Sequence, residues 1–517
     1  MKKYLICAFA LAAFCACSSG ADEEQVKPNE NGQVYMQFSV KMETSRSETD
    51  ETGDTNSNAN PDYEVGFDKE NAISTVDVVL RNADDYVVAE DVVPAKAATD
   101  TYVASFNTLE LKANATYDVY IYANCKADQN LDATSAETIE NITKDNKFWM
   151  TNAYAAQSIT LPSDLSLYTQ PNNPLNLQSH YVERVMARFD YMASKTDNIY
   201  PMAVDAENAA TVNLQLTDVA LINMSKNFYM LRRVSNDGTN NGWTIGGAET
   251  PKNYVVDTDY AAKAAGYTEA QVANFYYHMT KPADWEWTKL ATLTTDDNWT
   301  GEGDKDHNPS DYKVWRYAIE NTIPNINAQE HGISTGVVFK GEIKATDKAS
   351  EALQNALKGK ETIYVFKNQL YGTWADVTAA AVKSETNTEP DAELAAAYNA
   401  VVAAGENATA QTYADAGFTG YSPEADGKFY AYYYYWNRHN DNLENDTMGQ
   451  MEFAVVRNNV YKLCVDKIAR YGHPTPGGND PDPDPENPTD PDEELNYYFT
   501  VTVKVLPWVV RVNHIEF

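Results

Sequence analysis

The sequence has little positive charge, few cysteines and few histidines. It contains 40 Lys and Arg against 75 Asp and Glu, so the formal net charge of the 517 residues is −35. Because phosphates are bound by clustered cations, this balance argues against a nucleic-acid partner and against docking onto anionic lipid. The seven histidines form no HExxH motif and the five cysteines no CxxC pair, so we expect no metal and no cofactor.

Tyrosine, in contrast, is abundant, and alternating apolar runs recur along the chain. The 35 tyrosines outnumber the 16 phenylalanines and 9 tryptophans, and tyrosine suits half-buried strands. Segments rich in Asn, Asp, Gly and Pro separate the runs, which is typical of antiparallel sandwiches. We therefore expect a mainly β fold of two or three domains with a few short helices. Asp347 can cap one helix over 348–358, and the residues at 388–391, with Pro390 in the first turn, can open a second that ends at 404. The alternating runs lie at residues 34–42, 76–80, 117–121, 214–216, 336–344 and 453–468.

The N-terminus has the pattern of a secretory signal. A short basic stretch precedes an apolar segment at 5–14, which is too short to span a bilayer. Residues 1–16 are therefore interpreted as a signal peptide, and Cys17 resembles the lipidated cysteine of a bacterial lipoprotein. The acidic run at 22–24 resembles a surface-export signal of lipoproteins in the Bacteroidales, although a plain solvated tether would look the same.

Two cysteines would remain after signal removal and acylation of Cys17. Cys125 and Cys464 lie about 340 residues apart and lack metal-ligand spacing. Cys125 ends an alternating strand pattern, so we interpret it as a buried structural thiol. The protein is not expected to depend on disulfides.

Two strand patterns at opposite ends of the chain present the same kind of apolar face. A Pro- and Asp-rich spacer at 473–494 precedes the second pattern and should be extended. A lone strand on such a tether needs a sheet to join. The apolar positions are Val34, Met36, Phe38, Val40 and Met42 in the first pattern, and Phe499, Val501, Val503 and Val505, followed by Pro507 and Trp508, in the second.

A basic residue follows the first strand pattern. Arg46 and Ser47 lie in a polar, acidic segment at 45–61 that we expect to be exposed and mobile. An Arg-specific protease cutting there would free the first strand and open a groove, which the second strand of a neighbour could fill. Repeated head to tail, such a contact gives a filament. The alternative is that the C-terminal strand folds back on its own domain and Arg46 is an ordinary surface residue; the residues alone leave both open.

Several sequence blocks match a known family in order and spacing. They occupy residues 34–46, 60–63, 148–152, 182–188, 455–461 and 503–508. With them, the chain resembles the structural subunits of type V pili of the Bacteroidales, the fimbrilins. Among these it most closely resembles the major subunit of the short, or minor, fimbriae.

The resemblance implies two transthyretin-like β-sandwiches with a C-terminal donor strand on the Pro/Asp-rich linker. It also implies lipidation at Cys17, cleavage between Arg46 and Ser47, and polymerisation by donor-strand exchange. Because a tip adhesin needs no donor strand and an anchor keeps its N-terminal strand, a shaft subunit is expected. The implied segments are the signal peptide at 1–16, a lipidated propeptide at 17–46, the sandwiches at 47–207 and 208–472, the linker at 473–494 and the donor strand at 495–517.

The implied partners are identical subunits head to tail, anchor and tip accessory subunits, and an Arg-specific protease. Before cleavage, the lipid would hold the chain at the outer membrane, which it reaches through the periplasm. The mature protein would lie in a cell-surface fimbria, support adhesion and biofilm formation, and have no catalytic activity.

Two other functions fit parts of the sequence. Exposed aromatic residues at 430–436 would suit a monomeric, glycan-binding surface lipoprotein, although an aromatic strand with one buried face explains them better. Ser334 lies in a G-x-S-x-G match, the motif of an esterase nucleophile. A strand pattern rather than a helix follows it, so we interpret the match as a chance occurrence in a turn.

Overall fold

The computed structural model describes most of the chain between residues 34 and 509, and it is mainly β with short helices, as the sequence predicts. In the described part, no helix is long and apolar enough to cross a bilayer. The described residues are 34–42, 64–98, 101–108, 111–193, 195–204, 208–246, 254–264, 269–293, 312–323, 333–439, 451–477 and 499–509.

The strands follow one another in three groups along the chain. The first group is β1 (Val34–Met42), β2 (Glu64–Val65), β3 (Val76–Arg81), β4 (Tyr86–Val92), β5 (Ala95–Lys96), β6 (Thr101–Thr108), β7 (Thr116–Ala123), β8 (Thr134–Ser135), β9 (Met150–Asn152), β10 (Gln157–Thr160) and β11 (Leu175–Arg184). The second is β12 (Met186–Ala193), β13 (Ile199–Val204), β14 (Ala210–Ile222), β15 (Met224–Ser225), β16 (Phe228–Tyr229), β17 (Arg233–Ser235), β18 (Thr244–Ile245), β19 (Tyr254–Val255), β20 (Phe275–Tyr276), β21 (Thr288–Lys289) and β22 (Lys313–Ile319). The third is β23 (Gly336–Ala345), β24 (Ile363–Phe366), β25 (Gln369–Tyr371), β26 (Phe418–Tyr421), β27 (Tyr430–Trp436), β28 (Asn459–Ile468) and β29 (Phe499–Val509).

The α-helices are short and lie mostly in one insertion. They are α1 (Asp68–Asn71), α2 (Ile139–Ile142), α3 (Tyr260–Ala264), α4 (Glu351–Gly359), α5 (Trp374–Ala381), α6 (Ala392–Ala404) and α7 (Ala410–Asp415).

The first sheet contains the N-terminal strand in its interior. Its strand order is β4-β3-β7-β9-β11-β1-β6-β5, with β10 paired to β7. Apolar side chains at alternate positions of β1 and β6 are buried in the main core, as period-2 patterning requires. β1 is thus an interior strand with a neighbour on each side.

Two further sheets pack face to face as a β-sandwich. Their orders are β2-β29-β28-β12-β22 and β13-β14-β23-β27, with β21 paired to β14. The rings of Tyr191 in β12 and Phe339 in β23 meet across the sandwich with centroids 5.8 Å apart. The hydroxyl of Tyr200 in β13 donates to the Val465 carbonyl in β28 at 2.7 Å.

One nearly continuous strand connects the first sheet with the second. Only Val185 separates β11 from β12, and β11 pairs with β1 whereas β12 pairs with β28. The chain therefore passes between sheets about 20 residues before the end of the segment at 47–207 that the resemblance implies. Residues 182–189 contain no turn signal, although Glu183, Arg184 and Arg188 interrupt the apolar run, so the sequence pattern does not mark this passage.

An insertion between β23 and β27 has an apolar cluster of its own, which includes Phe366, Val377 and Phe418. α6 begins after Asp391, whose carboxylate accepts from the Leu394 N–H at 2.8 Å, so Pro390, which the sequence pattern places in the first turn, lies just before the helix. α4 differs from the sequence pattern, which places its cap at Asp347. The cap is Ser350, whose Oγ accepts from the Leu353 N–H at 3.2 Å.

Candidate functional site

The N-terminal strand fills a groove between β6 and β11. It pairs antiparallel with β6 from Val34↔Thr108 to Lys41↔Thr101. It pairs parallel with β11 from Met36↔Leu175 to Met42↔Val182, with one register shift. Taking β1 away would leave unpaired backbone groups on both flanking strands, which is the form of a strand-accepting groove.

The side chains of β1 alternate strictly between core and surface. The five apolar residues that the sequence singles out are at most 5% exposed: Val34, Met36, Phe38, Val40 and Met42. The Phe38 ring lies edge-on to Phe106 and His180, with centroids 5.9 and 6.0 Å away. Burial lowers the pKa of His180, which favours a neutral ring beside Phe38.

The C-terminal strand lies in the second sheet of its own chain. β29 pairs antiparallel with β28 from Asn459↔Pro507 to Ile468↔Phe499. On its other side, Trp508 and Val509 pair with Glu64 and Val65 of β2. The structure thus contains the folded-back arrangement of this strand, and its donation to a neighbour stays a prediction.

Several predicted sites lie outside the described residues. These are the lipidation site Cys17, the scissile residues Arg46 and Ser47, the acidic segment at 45–61, and the linker beyond residue 477. Lipidation and cleavage therefore stay predictions from the sequence.

A buried polar cluster centred on Arg184 connects the two regions, and we call it the joint. The backbone N–H and Nη1 of Arg184 both donate to Oδ1 of Asn458, at 3.3 and 3.1 Å. Its Nε donates to the Glu70 carbonyl at 3.2 Å, and its Nη2 donates to Oδ1 of Asn71. The Asn458 N–H in turn donates to the Met186 carbonyl at 2.8 Å.

Two carboxylates balance the two guanidinium groups of the joint. Arg188 donates to Glu70 Oε2 at 3.0 Å and makes a two-pronged contact with Asp190 at 2.8 Å. The Tyr317 hydroxyl also donates to Glu70, at 2.5 Å. Burial lowers the pKa of Arg184 to about 9. Burial also raises the pKa of Glu70, and the positive charges of Arg188 and Arg184 partly offset that rise. Buried charges of this kind are tolerated because Arg188 is paired with two carboxylates and Arg184 is hydrogen-bonded to amide and carbonyl oxygens.

Two of the sequence blocks that carry the family resemblance meet in or beside this joint. Residues 182–188 supply Arg184 and Arg188, and residues 455–461 supply Asn458. Next to Asn458, Arg457 pairs with Glu320 at 2.9 Å and donates to the Tyr229 carbonyl at 2.7 Å. The sequence shows charged residues inside apolar runs at both places, which marks each half as unusual but does not indicate that the two halves are in contact.

The two rival sites are largely covered rather than presented to a ligand, although the aromatic residues at 434–436 are half-buried. Tyr430 and Tyr432 are 7% and 2% exposed, and they pack under Trp285 on the outer side of the third sheet. Tyr433 faces the main core, so both faces of β27 are covered, rather than one as the sequence pattern predicts. Ser334 is fully buried, and strand β23 follows it at once. This is not the strand-to-helix turn of a hydrolase nucleophile.

Neither cysteine of the described part is poised for chemistry. Cys125 and Cys464 are both buried and unbridged. Burial raises the pKa of the Cys125 thiol, which makes it inert at neutral pH. Among the described residues, no group of His, Cys, Asp and Glu is arranged to hold a metal ion.

Comparison with solved structures finds fimbrial proteins of low identity. One is a fimbrilin, FimA, from Porphyromonas gingivalis W83, at 14% identity and a TM-score of 0.36, covering 92% of this chain and 98% of that one. Another is the tip fimbrial protein Mfa3 from Porphyromonas gingivalis, at 8% identity and a TM-score of 0.34, covering 92% and 100%. Both TM-scores are low, so the argument for a family rests on sequence.

A family model supplies that argument for the C-terminal region. Residues 428–514, which contain β27, β28 and β29, match the family described as major fimbrial subunit protein type IV, Fimbrillin, C-terminal. No protein among the curated sequences matches this chain. The match does not single out the short, minor fimbriae. It shows that residues 428–514 are similar to the C-terminal region of the fimbrillin family, in agreement with the resemblance that the sequence indicates.

Proposed function

We propose that this protein is a structural shaft subunit of a cell-surface fimbria, which polymerises by donor-strand exchange and supports adhesion and biofilm formation. The observation that carries the proposal is the position of β1. It is an interior strand with five buried apolar side chains, yet its covalent connection to the rest of the fold runs through the segment that contains Arg46.

Cleavage after Arg46 would turn β1 into a separate peptide held only by packing and hydrogen bonds. Burial of its five apolar side chains contributes roughly 8–15 kcal/mol before entropic costs. The same free energy is available to any strand with the same apolar spacing that enters the groove. Replacement of β1 by a second strand restores the pairing in the groove, and loss of the cut peptide must offset the cost of releasing β29 from β28.

The C-terminal strand has the spacing that the groove requires. Its apolar residues Phe499, Val501, Val503 and Val505 alternate like Met36, Phe38, Val40 and Met42. A Pro- and Asp-rich linker of this length would, if extended, span roughly 60 Å at ~3.1 Å per residue. β29 can therefore leave its own sheet and enter the groove of the next subunit without unfolding the sandwich that it leaves.

The precursor would reach the cell surface as an exported lipoprotein. Lipidation at Cys17 would hold the precursor at the outer membrane until an Arg-specific protease cuts it, and removal of 17–46 would release it from the lipid. Partners would then be identical subunits in the shaft, with anchor and tip accessory subunits at its ends. No nucleic acid or cofactor takes part.

The experiment is proteolysis of the purified chain followed by an unboiled denaturing gel. The wild type should give a ladder of heat-labile oligomers whose chains begin at Ser47. Arg46→Lys keeps the charge but removes the bond that an Arg-specific protease cuts, so it should stay monomeric. A single monomer band from wild-type chains that do begin at Ser47 would contradict the proposal.

A further inference from the structure

Arg184 lies where three chain segments meet, and each segment leads to one of the terminal strands. It is the last residue of β11, which pairs with β1. Its partner Asn458 directly precedes β28, the strand that holds β29. Its other partners, Glu70 and Asn71, lie in α1, which closely follows β2 on the far edge of β29.

The contacts form a short series of neighbours between the two terminal strands. Met42, at the end of β1, pairs with Val182, two residues before Arg184. Asn459, directly after Asn458, pairs with Pro507 near the end of β29. The hydrogen bonds from Arg184 to Asn458 therefore link the end of one ladder directly to the end of the other, beside the backbone path through Val185 and β12.

These hydrogen bonds are inaccessible to water. Arg184 and Asn458 are 0% and 1% exposed. A shift of the end of β11 would withdraw the guanidinium group from Asn458 and from the Glu70 carbonyl together, leaving buried polar groups without compensation. Buried networks of this kind have a large penalty for partial disruption, so the joint is either assembled or broken.

We propose that the joint couples the two terminal strands, so that retention of β29 in its own sheet depends on retention of β1 in the groove. Coupling is reciprocal, so loosening either strand weakens the hold on the other. The consequence for assembly rests on the proposed function. Loss of β1 after cleavage opens the groove and also loosens the donor strand β29. A subunit therefore keeps β29 in its own sheet until the chain has been cut.

The test is Asn458→Gly in the uncut full chain, which stays monomeric. Asn458 has a φ of +57°, so glycine keeps the backbone conformation and removes only the amide that accepts from Arg184. Amide hydrogen exchange is measured in peptides that cover β1 and β29. We expect exchange to become at least about tenfold faster in both, since a hydrogen bond to a charged group is lost.

A matched control is Asn223→Gly, away from the terminal strands. Asn223 is fully buried with a φ of +55°, and its amide accepts from the Met279 N–H and donates to the Ser334 carbonyl, both at 2.9 Å. This variant loses these two buried hydrogen bonds, and we expect no faster amide exchange in β1 and β29. Equal acceleration by both variants would overturn the proposal.

The reverse direction is tested from β1. Phe38→Ala removes the central buried ring of the groove strand, and exchange in β29 should become faster although Phe38 lies in another sheet. Phe418→Ala, in the apolar cluster of the insertion, is the control. In the Asn458→Gly background, Phe38→Ala should add little to exchange in β29, because the connection is already broken.

Three results would overturn the coupling: faster exchange confined to one strand in Asn458→Gly, unchanged exchange in β29 in Phe38→Ala, or full additivity in the double variant. All measurements use uncut monomers. Failure of cut chains to polymerise would therefore overturn the proposed function and leave the result on coupling intact.

Discussion

A disulfide between β28 and β29 should hold the C-terminal strand in its own sheet. Cys464 faces Thr502 in the antiparallel ladder, and the Cα atoms of such pairs lie ~4.5–5.5 Å apart, within the range that a disulfide bridges. The variant Thr502→Cys should therefore oxidise in the uncut monomer. The bridge closes a loop of roughly 40 residues, which corresponds to about 4 kcal/mol in the chain-entropy treatment, as an upper figure.

The assay follows polymerisation of the locked chain after cleavage at Arg46. We expect the oxidised variant to remain monomeric and, when mixed with wild type, to shorten the oligomer ladder, since it accepts a strand but donates none. Reduction should restore the full ladder. Thr500→Cys faces Lys467 instead of Cys464 and serves as the control that forms no bridge. Full polymerisation of the locked chain would refute β29 as the donor strand, and failure to oxidise would refute the folded-back arrangement.

Three further predictions concern stability of the uncut chain. Phe38→Ala should lower the free energy of unfolding by about 3–5 kcal/mol, and Gln37→Ala, half-buried beside it, by less than about 1 kcal/mol, as measured by denaturant titration. Burial lowers the pKa of His278 from 6.5 to about 4, so the unfolded chain binds its proton first. The free energy of unfolding should thus keep its full value above pH 6.5 and fall by up to about 3 kcal/mol as the pH is lowered toward 4. His278→Gln should remove this part of the pH dependence. A pH profile that is unchanged in this variant would contradict the assignment to His278. Ser350→Ala should destabilise by about 1 kcal/mol and Asp347→Ala by almost nothing, because Ser350 is the cap of α4.

The strands were predictable because alternation is a local signal. β1 follows the period of two, whereas the first seven residues of β28 are all buried because this strand is covered on both faces. The start of α6 was predicted only to within a few residues, since Pro390 and Asp391 both suit a helix start by residue type. The cap of α4 was misplaced since Asp347 and Ser350 are equally suited by type, and only the backbone geometry selects Ser350.

The joint was not predictable, because its members are far apart in sequence. Arg184 and Asn458 lie more than 270 residues from each other, and nothing local assigns one to the other. The burial of Tyr430 and Tyr432 was not predictable for the same reason. The residues that cover them, among them Trp285, come from a segment between β20 and β22 whose packing no local pattern reveals.

The central claim is that the C-terminal strand of one subunit occupies the groove of β1 in the next, and isotope-resolved photo-crosslinking tests it most directly. A photoreactive amino acid replaces Thr502, and polymers are assembled from a mixture of ¹⁴N and ¹⁵N chains cut after Arg46. In the uncut monomer we expect cross-links to β28 of the same chain, around Cys464. In the polymer we expect cross-links to β6 or β11 of a chain of the other isotope. Cross-links that remain on β28 of the same chain in the polymer would contradict the account.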